Sequence, residues 1–218
     1  MLKVSPVPSV KSAYHHGNLR EALIDAALAV MTEQGPAAIT IREVARRAGV
    51  SHAAPYRHFN DRDELVQAVV EQGFERLEDA MAAAREGLGD NELENFAASG
   101  EAYFDFALSN PTYYRVMFSG DLLSRSGHES LSYTTTSFFR QMIADVERLQ
   151  ALGIVRDGDP TLLGIHIVST VHGYISLVNE QRISHLVDGR YSQKAVRDFV
   201  MEAVIVGIGA NLPQESVL

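Results

Sequence analysis

The sequence predicts an all-α protein: an N-terminal head of three helices, joined by a linking helix to a C-terminal helical body, about nine helices in all. Three observations carry that prediction. Apolar residues recur at helical spacing from Leu19 to Ala210, and no stretch alternates with the two-residue period of a half-buried strand. Glycine and proline fall between these periodic segments, where helices stop and restart. The composition, 46% hydrophobic and 22% charged over 218 residues, is that of a chain with a sizeable core.

Residues 1–13 mix Pro, Ser and Val without a period and read as a mobile arm. Asn18 followed by Glu21 resembles a capping box, and Leu19, Leu23, Ala26, Ala27 and Val30 form one face of a helix over 18–33. Gly35 and Pro36 end it. The next helix, 40–47, opens with Thr40 and Glu43, turns Ile41, Val44, Ala45 and Ala48 inward, and leaves Arg42, Arg46 and Arg47 mostly outward. Gly49 supplies the positive φ of a tight turn. Ser51 then caps a short helix over 51–58. Pro55 is its fourth helical position, where a backbone hydrogen bond is lost, so a distorted or 3₁₀-like first turn is expected.

This arrangement, two short helices about a glycine turn, is the sequence form of a helix-turn-helix and implies double-stranded DNA as a partner. The linking helix, 61–85, carries Leu65, Val69, Gln72, Gly73 and Leu77 on its inner stripe and stops at Gly87 and Gly89. Further helices are expected over 91–108, 111–118, 129–151, 160–181 and 191–210, with a loop from Gly120 to Gly127 and a turn at 157–159. The domain division that follows is an arm over 1–13, a DNA-binding head over 14–60 and a body over 61–218.

Net charge is −9, which opposes phosphate binding until its distribution is considered. Residues 1–60 hold seven Lys and Arg against four acids, a net +3, and the remainder holds twelve against 24, a net −12. A basic head on an acidic body points one end at DNA. Cysteine is absent, so disulfides, zinc thiolates and a cysteine nucleophile are excluded. The N-terminus lacks an apolar signal core and no uninterrupted apolar run reaches membrane-spanning length, so a cytoplasmic protein with no membrane partner is the expectation.

From Leu19 to Leu65 the chain resembles the TetR family of bacterial transcriptional regulators. The likeness rests on Ala26-Ala27, Gly35, Thr40, Ile41, Val44-Ala45, Ala48-Gly49-Val50-Ser51, Tyr56, His58-Phe59, Arg62 and Leu65. NPTYYRVMFSGDL, from Asn110 to Leu122, and VHGYISL, from Val171 to Leu177, look like the WHG type of TetR body. The resemblance implies a homodimer built on the last two helices of each subunit and a ligand cavity in the body. An effector would spread the two heads and release the operator, which is the behaviour of a repressor. It also implies phosphate contacts for Thr40, Tyr56 and His58. The family commonly has Lys where Arg62 stands, and the charge is kept.

If the second helix enters the major groove, its reading positions are Ser51, His52, Ala53 and Ala54, flanked by Tyr56, Arg57 and His58 and by Thr40, Arg42 and Arg62. Ser51 and His52 can hydrogen-bond base edges; the alanines offer only apolar contact, such as with a thymine methyl. With no Arg or Asn in that first turn, dimer spacing and DNA shape must supply much of the specificity. Phe59, Val44, Ala45 and Leu65 read as core.

In the body, Tyr103, Phe104, Phe106, Tyr113, Tyr114, Met117, Phe118, Phe138, Phe139 and Met142 concentrate aromatic and Met side chains. Any one of these is more often core than pocket wall. As a group they point to a small, largely apolar effector held by Tyr103, Phe104, Tyr114, Met117, Phe118, Phe138 and Met142, with His166, His172 and Tyr174 as polar handles. Gly173, Ala203 and Gly207 would let the last two helices approach closely. His52 and His58, like His166 and His172, stand six residues apart, about 240° around a helix, so neither pair chelates from one face and no metal site is expected. VGIGA near the C-terminus has no βαβ unit to make it a dinucleotide loop, and no cofactor is expected. The alternatives to a ligand-responsive repressor are a constitutive or architectural DNA-binding protein without an effector and, with least support, an enzyme on a helical scaffold.

Overall fold

The computed structural model describes residues 19–119, 129–183 and 189–210. The N-terminal arm, the loop over 120–127 and the extreme C-terminus lie outside these. The described residues contain eight α-helices: α1 Leu19–Gln34, α2 Ile41–Arg47, α3 Arg62–Arg85, α4 Glu92–Ser109, α5 Pro111–Met117, α6 Glu129–Ala151, α7 Pro160–Asn179 and α8 Gln193–Ile208. The chain divides into two compact units, one ending at Arg62 and the other beginning at Asp63.

In the first unit, α1 buries Leu23, Ile24, Ala26, Ala27, Val30 and Met31, and it packs against α2 and a 3₁₀ turn at Pro36–Ala38. Thr40 caps α2, its hydroxyl oxygen accepting from the Glu43 N–H at 3.1 Å. Ile41, Val44 and Ala45 are the residues that α2 buries. Its other end closes in a paired bond pattern: Val50 N–H reaches Ala45 O at 3.0 Å and Gly49 N–H reaches Arg46 O at 3.2 Å. Gly49 has φ of 70°, so the turn needs a residue without a Cβ.

The segment expected as a helix over 51–58 is not α-helical. It is a run of three-residue turns ending in a 3₁₀ helix, Pro55–Arg57. Proline is the cause: Pro55 has no N–H to give the Ser51 carbonyl, which accepts instead from Ala54 N–H at 3.0 Å. Arg57 N–H to Ala54 O and His58 N–H to Pro55 O continue the tighter pattern. Burial of Pro55 and Phe59 anchors the segment at its middle and end.

In the second unit, α3 buries Leu65, Val66, Ala68, Val69, Val70, Gly73, Phe74 and Leu77. Gly73 is where α5 comes close: a Cβ there would lie 2.7 Å from Met117 Sδ and 3.0 Å from Tyr113 Cδ1. Asn91, Asp159 and Ser192 cap α4, α7 and α8, each accepting a backbone N–H of its own first turn. Helix α7 packs against α4, α6 and α8. Among the described helices it is the one long and apolar enough to cross a membrane by length and composition, though a third of its apolar window is buried by its neighbours. Gly207 admits α7 closely, since a Cβ there would stand 2.9 Å from His166 Nε2. Gly173 meets nothing within 4 Å of such a position and Ala203 is exposed, so neither serves an approach within the chain. The turn after α6 is tied to the end of α8 by Arg156 N–H to Ile208 O and Ala210 N–H to Ile154 O.

Candidate nucleic-acid interface and ligand cavity

The head sorts its arginines into two groups. Arg46 pairs with Glu43, Arg47 forms a two-bond pair with Glu33, and Arg20 lies 5.5 Å from the Phe59 ring centre. Arg62 is half-buried and donates through Nε to Ile39 O at 3.1 Å and through Nη2 to Pro36 O at 3.4 Å, tying down the strand of chain that leads into α2. Arg42 and Arg57 are exposed, and their guanidinium groups have no hydrogen-bond or ion-pair partner among the described residues. Thr40, Ser51, His52, Ala53, Tyr56 and His58 are exposed too, with Tyr56 at 60%. Thr40 spends a lone pair on its cap, which leaves its O–H able to donate. Tyr56 stands clear of the core, and Pro55 is the residue this turn buries.

The pairings also set pKa values. Hydrogen bonding to Arg47 lowers Glu33 and hydrogen bonding to Arg46 lowers Glu43, so both carboxylates stay ionised and keep their arginines occupied.

In the body, α3, α4, α6, α7 and α8 line a partly open cavity of about 470 Å³, with Phe96, Tyr103, Phe138, Met142, Ile167 and Val171 among its walls. That volume suits a small organic ligand. Arg85, Phe96, Ser99 and Asp145 also line an adjoining, more polar chamber of about 210 Å³ with Glu92, Asn95 and Arg148.

Of the ten ligand-contact residues expected from sequence, Tyr103, Phe138 and Met142 line the large cavity. Phe104, Tyr114, Met117, Phe118, His166, His172 and Tyr174 do not. Phe104 is fully buried against Tyr174, 5.7 Å between ring centres. Met117 sits over Gly73, and Phe118 packs against Phe74, Tyr114 and His172. His166 is exposed beside Gly207. Tyr114 and His172 form a buried polar chain with Tyr103: Tyr103 O–H donates to Tyr114 Oη at 3.3 Å, and Tyr114 Oη lies 2.6 Å from His172 Nδ1. Desolvation raises Tyr114 to about 12 and pushes Tyr103 up as well. It lowers His172, which favours the neutral imidazole.

Sequence reasoning chose aromatic residues by type, whereas the cavity selects by helix face. Phe96, Ser99, Gly100 and Tyr103 are one stripe of α4, and Ile167, Val168 and Val171 one stripe of α7. That periodicity could have found Gly100 and Val168, and the same spacing sets Arg85 with Glu78, Met81 and Ala82 on one face of α3 and Met201 with Val204 on one face of α8.

The fold and these sites define a class: an all-α chain with a helix-turn-helix head and a hollow helical body. Residues 23–69 match the model for bacterial regulatory proteins of the tetR family, and residues 96–202 match that for the tetracyclin repressor-like C-terminal domain. The chain belongs to the TetR family. It is 33% identical over 105 residues to the HTH-type transcriptional activator FasR of Mycolicibacterium smegmatis, covering 48% of each chain. It is 42% identical over 65 residues to the HTH-type transcriptional regulator BetI of Rhizobium meliloti, covering 30% of this chain and 32% of that one. The match thus spans about half and a third of these relatives. A solved Rhodococcus sp. RHA1 protein of unknown function superposes with a TM-score of 0.74 at 28% identity, over 91% of this chain and 100% of that one.

Proposed function

We propose that the protein is a dimeric, sequence-specific DNA-binding transcriptional regulator whose operator affinity falls when a small, largely apolar molecule fills the body cavity. The observation that carries the reading is the coexistence of a head whose exposed polar edge includes Thr40, Ser51, His52, Tyr56, Arg57 and His58 with a separate hollow of about 470 Å³ in the body. The cavity supports a ligand-responsive reading over a constitutive one.

Backbone affinity is assigned to Arg42 and Arg57, to the Thr40 and Tyr56 hydroxyls and to His58. Ser51, His52 and Ala53 face the bases. Arg62 acts mainly by holding the entry to α2 in place. Dimerisation is assigned to α7 and α8, where Leu162, Ile165, Leu177, Phe199 and Val206 are all large, apolar and exposed in the single chain. A face of that kind on the last two helices is what a second copy would cover.

The test is selection of genomic fragments by the purified protein, then footprinting and a gel-shift titration with candidate metabolites. Two-fold symmetric protection, lost on adding an apolar metabolite, is the expected result. Binding indifferent to every metabolite that occupies the cavity would leave the architectural alternative. FasR is by name an activator, which favours a second reading in which the bound protein switches genes on. A promoter fusion in a deletion strain decides: expression rises on deletion for a repressor and falls for an activator.

A further inference from the structure

Resting on the regulator reading, we infer that the body cavity takes an anionic amphiphile, an apolar chain ending in a carboxylate, and that Arg85 receives the head. Arg85 is the last residue of α3, half-buried, and lines both the apolar cavity and the polar chamber that adjoins it. No hydrogen bond or ion pair occupies its guanidinium among the described residues. A partly desolvated cation between an apolar hollow and a polar recess is suited to an anionic group whose apolar remainder lies among Phe96, Tyr103, Phe138, Met142, Val171 and Met201.

The acids around the cavity do not already serve Arg85. Asp145 accepts from Arg148 Nη2 at 2.6 Å and from Gln141 Nε2 at 3.1 Å, and Glu92 accepts from Arg148 Nε at 3.0 Å. Glu78 and Asp79 are exposed on the same helix, seven and six residues before Arg85, which places them roughly 10.5 and 9 Å back along the axis. Solvent screens them there.

The experiment is calorimetric titration of the full chain with undecanoate, decanol and decyltrimethylammonium, three probes with the same ten-carbon apolar chain and an anionic, neutral or cationic end. Undecanoate should bind at least tenfold tighter than either of the others. Arg85→Gln should remove about tenfold of the undecanoate affinity and leave decanol unchanged. Ala82→Phe, which puts a ring into the cavity from an exposed position on α3, should weaken undecanoate and decanol alike. Circular dichroism of both variants checks folding. Unchanged undecanoate affinity in Arg85→Gln, tightest binding by decyltrimethylammonium, or indifference to Ala82→Phe would each overturn the assignment. Because the readout is ligand heat and not operator binding, loss of the DNA-binding reading registers separately, in the footprint.

Discussion

At the scale of single residues, the head shows that a basic composition overstates what is available to DNA. Arg46 and Arg47 are committed to Glu43 and Glu33, Arg62 to two carbonyls and Arg20 to the Phe59 ring, which leaves Arg42 and Arg57 as the exposed arginines of the head whose side chains have no partner among the described residues. Arg57→Ala should therefore weaken operator binding and lower the slope of log K against log salt by about 0.9, as loss of one phosphate contact does. Arg46→Ala should leave that slope unchanged. Gel-shift titrations at several salt concentrations read both.

His172 makes a prediction of the opposite kind, about stability. Its pKa is lowered in the folded protein by burial against Tyr114 and Phe118, so the unfolded chain binds the extra proton first as pH falls. Its favourable contribution is complete above the ordinary histidine value of about 6.5 and is lost as pH falls through the folded value. His172→Gln should flatten the fall in Tm between neutral and mildly acid pH, measured by thermal denaturation at each pH.

At the scale of elements, the turn from α2 into the reading segment depends on two backbone properties. Gly49 holds φ of 70°, a region in which a Cβ costs about 1 kcal/mol or more, so Gly49→Ala should lower stability by about that amount in urea unfolding. Pro55 converts a helix into successive 3₁₀ turns by withdrawing one donor. Pro55→Ala restores that N–H, so the segment gains helical hydrogen bonding while operator affinity changes, because Ser51 and His52 are re-aimed. Amide exchange at residue 55 together with gel shift follows the two effects.

At the scale of the whole molecule, the proposed dimer rests on the exposed apolar residues of α7 and α8. Leu162 is 65% exposed and Phe199 is 69% exposed, and both are large enough that solvation is costly. Leu162→Glu combined with Phe199→Glu should convert dimer to monomer in sedimentation velocity, retain helicity, and lose operator binding because two half-sites are no longer engaged together. A dimer that survives both charges would remove α7 and α8 from the interface.

The sequence by itself determined the all-α class, the bounds of most helices to within a residue or two, the glycine turn and the family, because these follow from local periodicity, caps and the positive φ of a single glycine. It also placed Val44, Ala45, Phe59 and Leu65 in the core, where they are 0 to 2% exposed. Pro55 announced a distortion, but how far the distortion would run depended on whether Ser51 O and Pro55 O found other donors. Only the tertiary structure decided which arginines remain without partners, since Glu33 is far from Arg47 in sequence and adjacent to it in space. The same is true of the cavity. A wall is made by whichever face of each helix turns inward when five helices meet, so Arg85, Gly100 and Met201 line it while Phe104 and Met117 are spent on packing.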